Sequence, residues 1–249
     1  MCLSIPLRPA GRHCPVPSGI AGVILSTILA ITLLTPAVHA ICPPDYNGQW
    51  GAFGMPPTGG PYGITVDAFG AVYTSDTGRD LLGVHTPDGT LITEWGGHGT
   101  ADGQFDGLIT ASVLDGFIYT IDNDRVQKFT DRGVWLLSFG TTGSGWGQLN
   151  DPRGIAVASD GTILVADSGN DRIQSFSTTG VFQGSWPVNQ PYDIDISATG
   201  DAYVLGHDGV VYRYTRWGGL LASWTGGSFG AMSMPKGLDV DAGGNVYVA

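Results

Sequence analysis

Tyr62, Arg153, Tyr192 and Lys236 each stand two residues ahead of an aliphatic residue (Ile64, Ile155, Ile194 and Leu238) that belongs to a short apolar run. Two phenols and two cations at one repeated phase could hold an anionic or sugar-like ligand if the fold gathers them. They could equally stack and pair to seal a structural opening. Asp193 and Asp195 are two apart in a strand pattern, so they face one side of a sheet. Such a pair suits Ca²⁺, which takes oxygen ligands. His85, His98 and His207 fall at three different phases, in a strand, a loop and a turn. That spread does not converge them on one zinc ion. There is no Gly-x-Ser-x-Gly elbow and no visible nucleophile beside a histidine base, so no catalytic residue is assigned. The polar knot in "ADSGNDRIQSF" (166–176) has two readings, a binding site or a device for reversing a strand.

The elements that must carry these residues are short strands. Glycine is abundant, 40 residues in all, and spread evenly between short apolar runs, which marks many strands with tight turns. Five stretches, beginning at 62, 107, 153, 192 and 236, share one plan. Their anchors Ile64, Ile109, Ile155, Ile194 and Leu238 recur at a period of about 44. Trp50, Trp95, Phe139, Trp186 and Trp224 repeat with the same period. Their place at strand ends argues for packing between units, not for a sugar platform. Units of 40–50 residues with four strands each are blades of a β-propeller. The fold class expected is all-β.

In the third unit the strands read 153–158, 162–167, 172–177 and 181–186. "SDG" (159–161) is expected to be a tight hairpin turn of the primed type, with Gly161 at positive φ. The knot 168–171 then links strands two and three. Gly169, Asn170 and Asp171 suit a reversal, and Asp167 and Arg172 stand at its two mouths. An ion pair clasping an exposed turn is worth only about 1 kcal/mol. The corresponding links, "SDTGRD" (75–80), "DNDR" (122–125) and "LGHDG" (205–209), differ in chemistry, which favours turn over ligand site.

Residues 1–40 hold Arg8 and Arg12 and no acid, then an apolar run at 19–34 and small residues at Val38 and Ala40. This is the order of a secretory signal peptide, so 41–249 is the expected mature domain, secreted or periplasmic. An uncleaved N-terminal anchor is the alternative; cleavage would leave no stable membrane insertion. Cys42 lacks the flanking residues of a lipoprotein site. As the mature part's only cysteine it permits no internal disulfide. Nine Lys and Arg against 22 Asp and Glu give that part a formal charge of −13. Such a surface repels phosphate backbones, so no nucleic-acid partner is expected.

The unit "GQLNDPRGIAVASDGTILVADSGNDRIQSFSTTGVF" (147–182) closely resembles an NHL repeat, and "GQFDGLITAS" with "DNDRVQKF" (103–129) is a second match. The resemblance covers about 49–249 and implies a six-bladed propeller. The chain offers four complete four-stranded blades and a fifth that stops at "GGNVYVA", so a longer parent protein is expected, with "NGQW" (47–50) ending a closing fourth strand. The enzymes this resemblance brings in are amidating lyases that share NHL-type blades and hold a metal with histidines near the opening. The matching positions here carry Tyr, Gly, Arg, Tyr and Lys.

The expected function is an exported, non-catalytic binding or scaffold module for a protein or glycan-like partner. The alternative is a metal-dependent enzyme of lyase or lactonase type, with Ca or Zn held partly by further blades. An RNA-binding domain is the less favoured reading. The expected ligand face carries Tyr62, Arg153, Tyr192 and Lys236.

Overall fold

The computed structural model describes residues 61–225 and 235–249. The leader 1–40, Cys42, Trp50 and "NGQW" lie outside the described residues. Four antiparallel sheets follow one another along the chain. The first blade is β1 (Pro61–Val66), β2 (Val72–Asp76), β3 (Leu81–His85) and β4 (Leu91–Gly96). The second is β5 (Leu108–Leu114), β6 (Phe117–Asp122), β7 (Arg125–Thr130) and β8 (Trp135–Phe139). The third is β9 (Pro152–Val157), β10 (Ile163–Asp167), β11 (Arg172–Phe176) and β12 (Phe182–Pro187). The fourth is β13 (Pro191–Ile196), β14 (Asp201–Gly206), β15 (Val210–Thr215) and β16 (Leu220–Thr225). A two-stranded sheet of β17 (Leu238–Val240) and β18 (Val246–Val248) begins a fifth. Within the described residues the one helical element is a three-residue turn at Ser168–Asn170.

First strands pack against one another in sequence, β1 on β5, β5 on β9, β9 on β13, β13 on β17. Second strands are the most buried: β2 and β10 are buried at every residue, and β10 lies in a blade packed between blades two and four. The apolar clusters therefore lie between blades. Tyr119, Ile121 and Val126 of blade two meet Ile155, Ile163 and Phe176 of blade three. Burying each such aliphatic side chain is worth about 1.5–3 kcal/mol, so blades hold each other more than themselves.

The aromatic ladder has a partner. Gly133, Gly180 and Gly218, each in the last turn of a blade and each at φ near +80°, lie under Trp95, Phe139 and Trp186 of the blade before. A Cβ there would come within 2.6–2.7 Å of the ring. The "SDG" turn is corrected in kind. Gly161 has φ +87°, but Ser159 and Asp160 do not have positive φ. Gly161 N–H bonds Ala158 O, and Ala158 N–H bonds Thr162 O. This is a type I turn followed by a left-handed glycine, not a primed turn.

The knot is also corrected. Asp167 is fully buried. Its carboxylate accepts from Asn150 N–H (2.8 Å), Asn170 Nδ2, Arg172 Nε (2.6 Å) and Gln174 Nε2 (2.9 Å). The Arg172 guanidinium in turn donates to the carbonyls of Ser144, Gly145 and Gln148. Blade two repeats this: Asp122 holds Arg125 and Gln127, and Arg125 donates to Thr100, Ala101 and Gln104. The knot is a buried latch on the loop that enters its own blade, and the side chains that look solvent-facing in sequence are spent on it.

Candidate functional site

Tyr62, Arg153 and Tyr192 are the extra residues of β-bulges. Pro61 pairs with Asp76 and Gly63 with Ser75, which skips Tyr62; the same skip falls at Arg153 and Tyr192. A bulge leaves its residue out of the ladder and re-aims the side chain, and bulges gather beside functional sites. In blade two the bulged residue is Ile109, because Leu108 pairs with Asp122 and Thr110 with Ile121. The anchor of that blade is thus Ala111, and the expected anchor Ile109 and ring position Gly107 are each two residues early. An alanine at the anchor left a neighbouring isoleucine to imitate it. A proline precedes every polar ring residue, in Pro61-Tyr62, Pro152-Arg153, Pro191-Tyr192 and Pro235-Lys236. Proline supplies no ladder N–H, and this signal would have marked the ring.

The four residues share one cavity of about 710 Å³ along the first strands. Tyr62 Oη and Tyr192 Oη, 130 residues apart, lie 2.5 Å from each other. Blades one and four are not neighbours, so the two phenols form a bar across the mouth of this channel. The Arg153 guanidinium lies 5.7 Å from the Tyr192 ring centre, within cation–π range, and donates to Asp151 Oδ2 at 2.8 Å. Burial, and then the Tyr62 contact, push the Tyr192 phenol up to about 12. It is a neutral O–H donor at physiological pH. The hydrogen bond to Asp151 holds the Arg153 pKa above its ordinary value.

Outside the bar is a second pocket of about 440 Å³, lined by Asp151, Arg153, Gln190, Tyr192, His207 and Lys236 among others. The His207 ring is 6.4 Å from that of Tyr192. His85 is buried beside Thr74, and His98 pairs with Asp80 at 2.9 Å, so the three histidines stay apart. Gly154 lets β9 and β13 close up here: a Cβ on it would lie 2.8 Å from the Asp193 Cα.

Asp193 and Asp195 stitch blades four and five. Asp193 accepts from Ile194 N–H and Leu238 N–H, and Asp195 from Ile196 N–H and Val240 N–H, all at 2.7–2.9 Å. All four oxygens are thus occupied by amides, which leaves a Ca²⁺ ion to compete for them. Among the described residues no group of three His, Cys, Asp or Glu side chains is placed to hold a metal. Burial pushes the Asp193 carboxyl up to about 7 and that of Asp195 up to about 6.

A carboxyl whose folded pKa is raised contributes stability that is complete below its unfolded value near 4 and is lost as pH rises through 6–7. With allowance for channel water, Asp193 contributes about 2 kcal/mol in this way. Amide-exchange protection at Leu238 and Val240, corrected for intrinsic rates, should fall about tenfold between pH 5 and pH 8. Protection that rises with pH would contradict this.

Residues 149–176 match the NHL repeat family. Human NHL repeat-containing protein 3 is 37% identical over 90 residues, which are 33% of this chain and 26% of that protein. The E3 ubiquitin-protein ligase TRIM71 of Rattus norvegicus is 43% identical over 56 residues, 22% of this chain and 6% of the ligase. The chain therefore spans well under half the length of these curated relatives. Virginiamycin B lyase from Staphylococcus aureus superposes with a TM-score of 0.59 at 18% identity, covering 76% of this chain and 62% of the lyase. At that identity the likeness is one of fold. The repeat match over 149–176, these relatives and the blade geometry support an NHL-repeat β-propeller.

Proposed function

We propose that this chain is an exported, non-catalytic binding module that takes a segment of a protein partner at the mouth of its channel. One observation carries the proposal: bulged residues from separate blades, Tyr62, Arg153 and Tyr192, converge with Lys236 on one cavity. These residues differ from blade to blade, whereas the packing positions repeat. A site set into a repeat scaffold has that character. The propeller fold supports an interaction or scaffold role, and the leader-like segment 1–40 supports export. A glycan-like ligand would use the same phenol rings.

The test is cross-linking from a photoreactive residue at Gln190, beside Tyr192, against one at Asp160 on the opposite rim, each in the full-length protein in its native cell. A discrete protein adduct from Gln190 alone is expected. Adducts from both rims, or from neither, would show that this mouth is not the interface. The lyase-type alternative predicts instead a stoichiometric metal in the purified full-length protein.

A further inference from the structure

We infer that the pocket outside the tyrosine bar is a carboxylate-binding subsite, in which Arg153, Lys236 and one hydroxyl of the Tyr62–Tyr192 pair receive one carboxylate group. The inference rests on the mouth being the binding face, and it names what that face recognises.

The chain carries far more acids than cations, and most of the cations are already used. Arg79, Arg125, Arg172, Arg213 and Arg216 each pair with a carboxylate. Lys128 sits 4.2 Å over the Phe117 ring. Lys236 has no ion pair among the described residues, and it lines both the channel and the outer pocket. Arg153 spends one N–H on Asp151, on the same pocket wall. Its planar fork retains further donors, which suits a carboxylate.

Charge selects within the class of anions. Arg153 and Lys236 against Asp151 leave one net positive charge, which a single carboxylate neutralises. A dianionic phosphate would put both charges into the subsite and overcompensate, with Asp193 in the adjoining channel, whereas a dicarboxylate seats one group and leaves the other in solvent. The phenol pair adds a directed donor. One hydroxyl donates to the other, so of two O–H groups one is left for a ligand.

The same group can come from a Glu or Asp side chain of a protein partner or from a free dicarboxylate. Calorimetry on the full chain would use a blocked Glu-Glu dipeptide, glutarate and inorganic phosphate. Saturable binding of at least one carboxylate probe is expected, weakened about tenfold or more by Arg153→Gln and by Lys236→Met. The thermal midpoint should be unchanged, because both residues are at the surface of the cavity. Binding should also weaken as salt is raised.

A dipeptide that outbinds glutarate identifies a partner's side chain as the source, and equal binding identifies a free acid. Either outcome sustains the carboxylate subsite. No saturable binding up to about 10 mM, phosphate binding more tightly than both carboxylates, or affinity that survives both substitutions would overturn it. If Gln190 cross-links to protein while no carboxylate binds, only the carboxylate inference falls. If the probes bind and no adduct forms, the protein-partner reading falls and the subsite stands.

Discussion

Asp167→Ala should destabilise the propeller by about 3–5 kcal/mol, far above the 1 kcal/mol expected of an exposed turn. The carboxylate is fully buried and is the meeting point of Asn150 N–H, Asn170, Arg172 and Gln174. Removing it leaves the largely buried Arg172 cation without its counter-charge and Gln174 Nε2 without one acceptor. At this chain length the midpoint should fall by roughly 10 °C. The entering loop at 144–148 should lose exchange protection first, since Arg172 holds three of its carbonyls. Asp201→Ala supplies the contrast. Its partner Arg213 is 40% exposed, so water screens the pair and the midpoint should move far less. Equal shifts for the two substitutions would show that burial does not set the strength of these pairs.

Gly96→Ala should cost about 3 kcal/mol or more, and Gly97→Ala only about 1–2. Both glycines have positive φ, +116° and +108°, so both substitutions carry backbone strain. They differ in what the new methyl meets. At Gly96 a Cβ would lie 2.5 Å from the Phe105 ring and 2.6 Å from the Asp80 carbonyl oxygen, one of them backbone that cannot swing away. At Gly97 it meets nothing within 4 Å. Phe105 is fully buried where blades one and two meet, so moving it loosens that whole cluster. Denaturant midpoints of the two variants decide the matter: similar losses would mean that strain, not packing, governs this corner.

The repeat was legible because a radial array gives residues of one phase the same place in each blade: Ile155, Ile194 and Leu238 are buried there, and Ile64 of blade one keeps the phase although it is 69% exposed. Ile64, Ile155, Ile194 and Leu238 all open the same inner strand, and the aromatic ladder marks the same outer one. Blade two escaped by two residues where Ala111 replaces the large anchor and Ile109, the bulged residue, imitates it. The burial of Asp167 could not be read locally. Asp-Ser-Gly-Asn-Asp-Arg has the composition of a solvated turn, and the loop carbonyls that occupy Arg172 lie more than twenty residues upstream. For the site, phase alone set Tyr62, Arg153, Tyr192 and Lys236 on one ring. That two of the phenols touch depends on bulges and on the width of the channel, neither of which is written in spacing. The prolines ahead of each ring residue were the unused clue.

The central claim is that residues 39 to 174 positions apart act as one site at the channel mouth. Arg153→Ala combined with Tyr192→Ala removes the guanidinium and one half of the tyrosine bar without touching the inter-blade clusters. The direct measurement is the yield of the Gln190 cross-link to protein in this double variant, beside its thermal midpoint. The yield should fall at least tenfold while the midpoint stays within a few degrees of the parent's. An undiminished adduct on a folded double variant would contradict the claim.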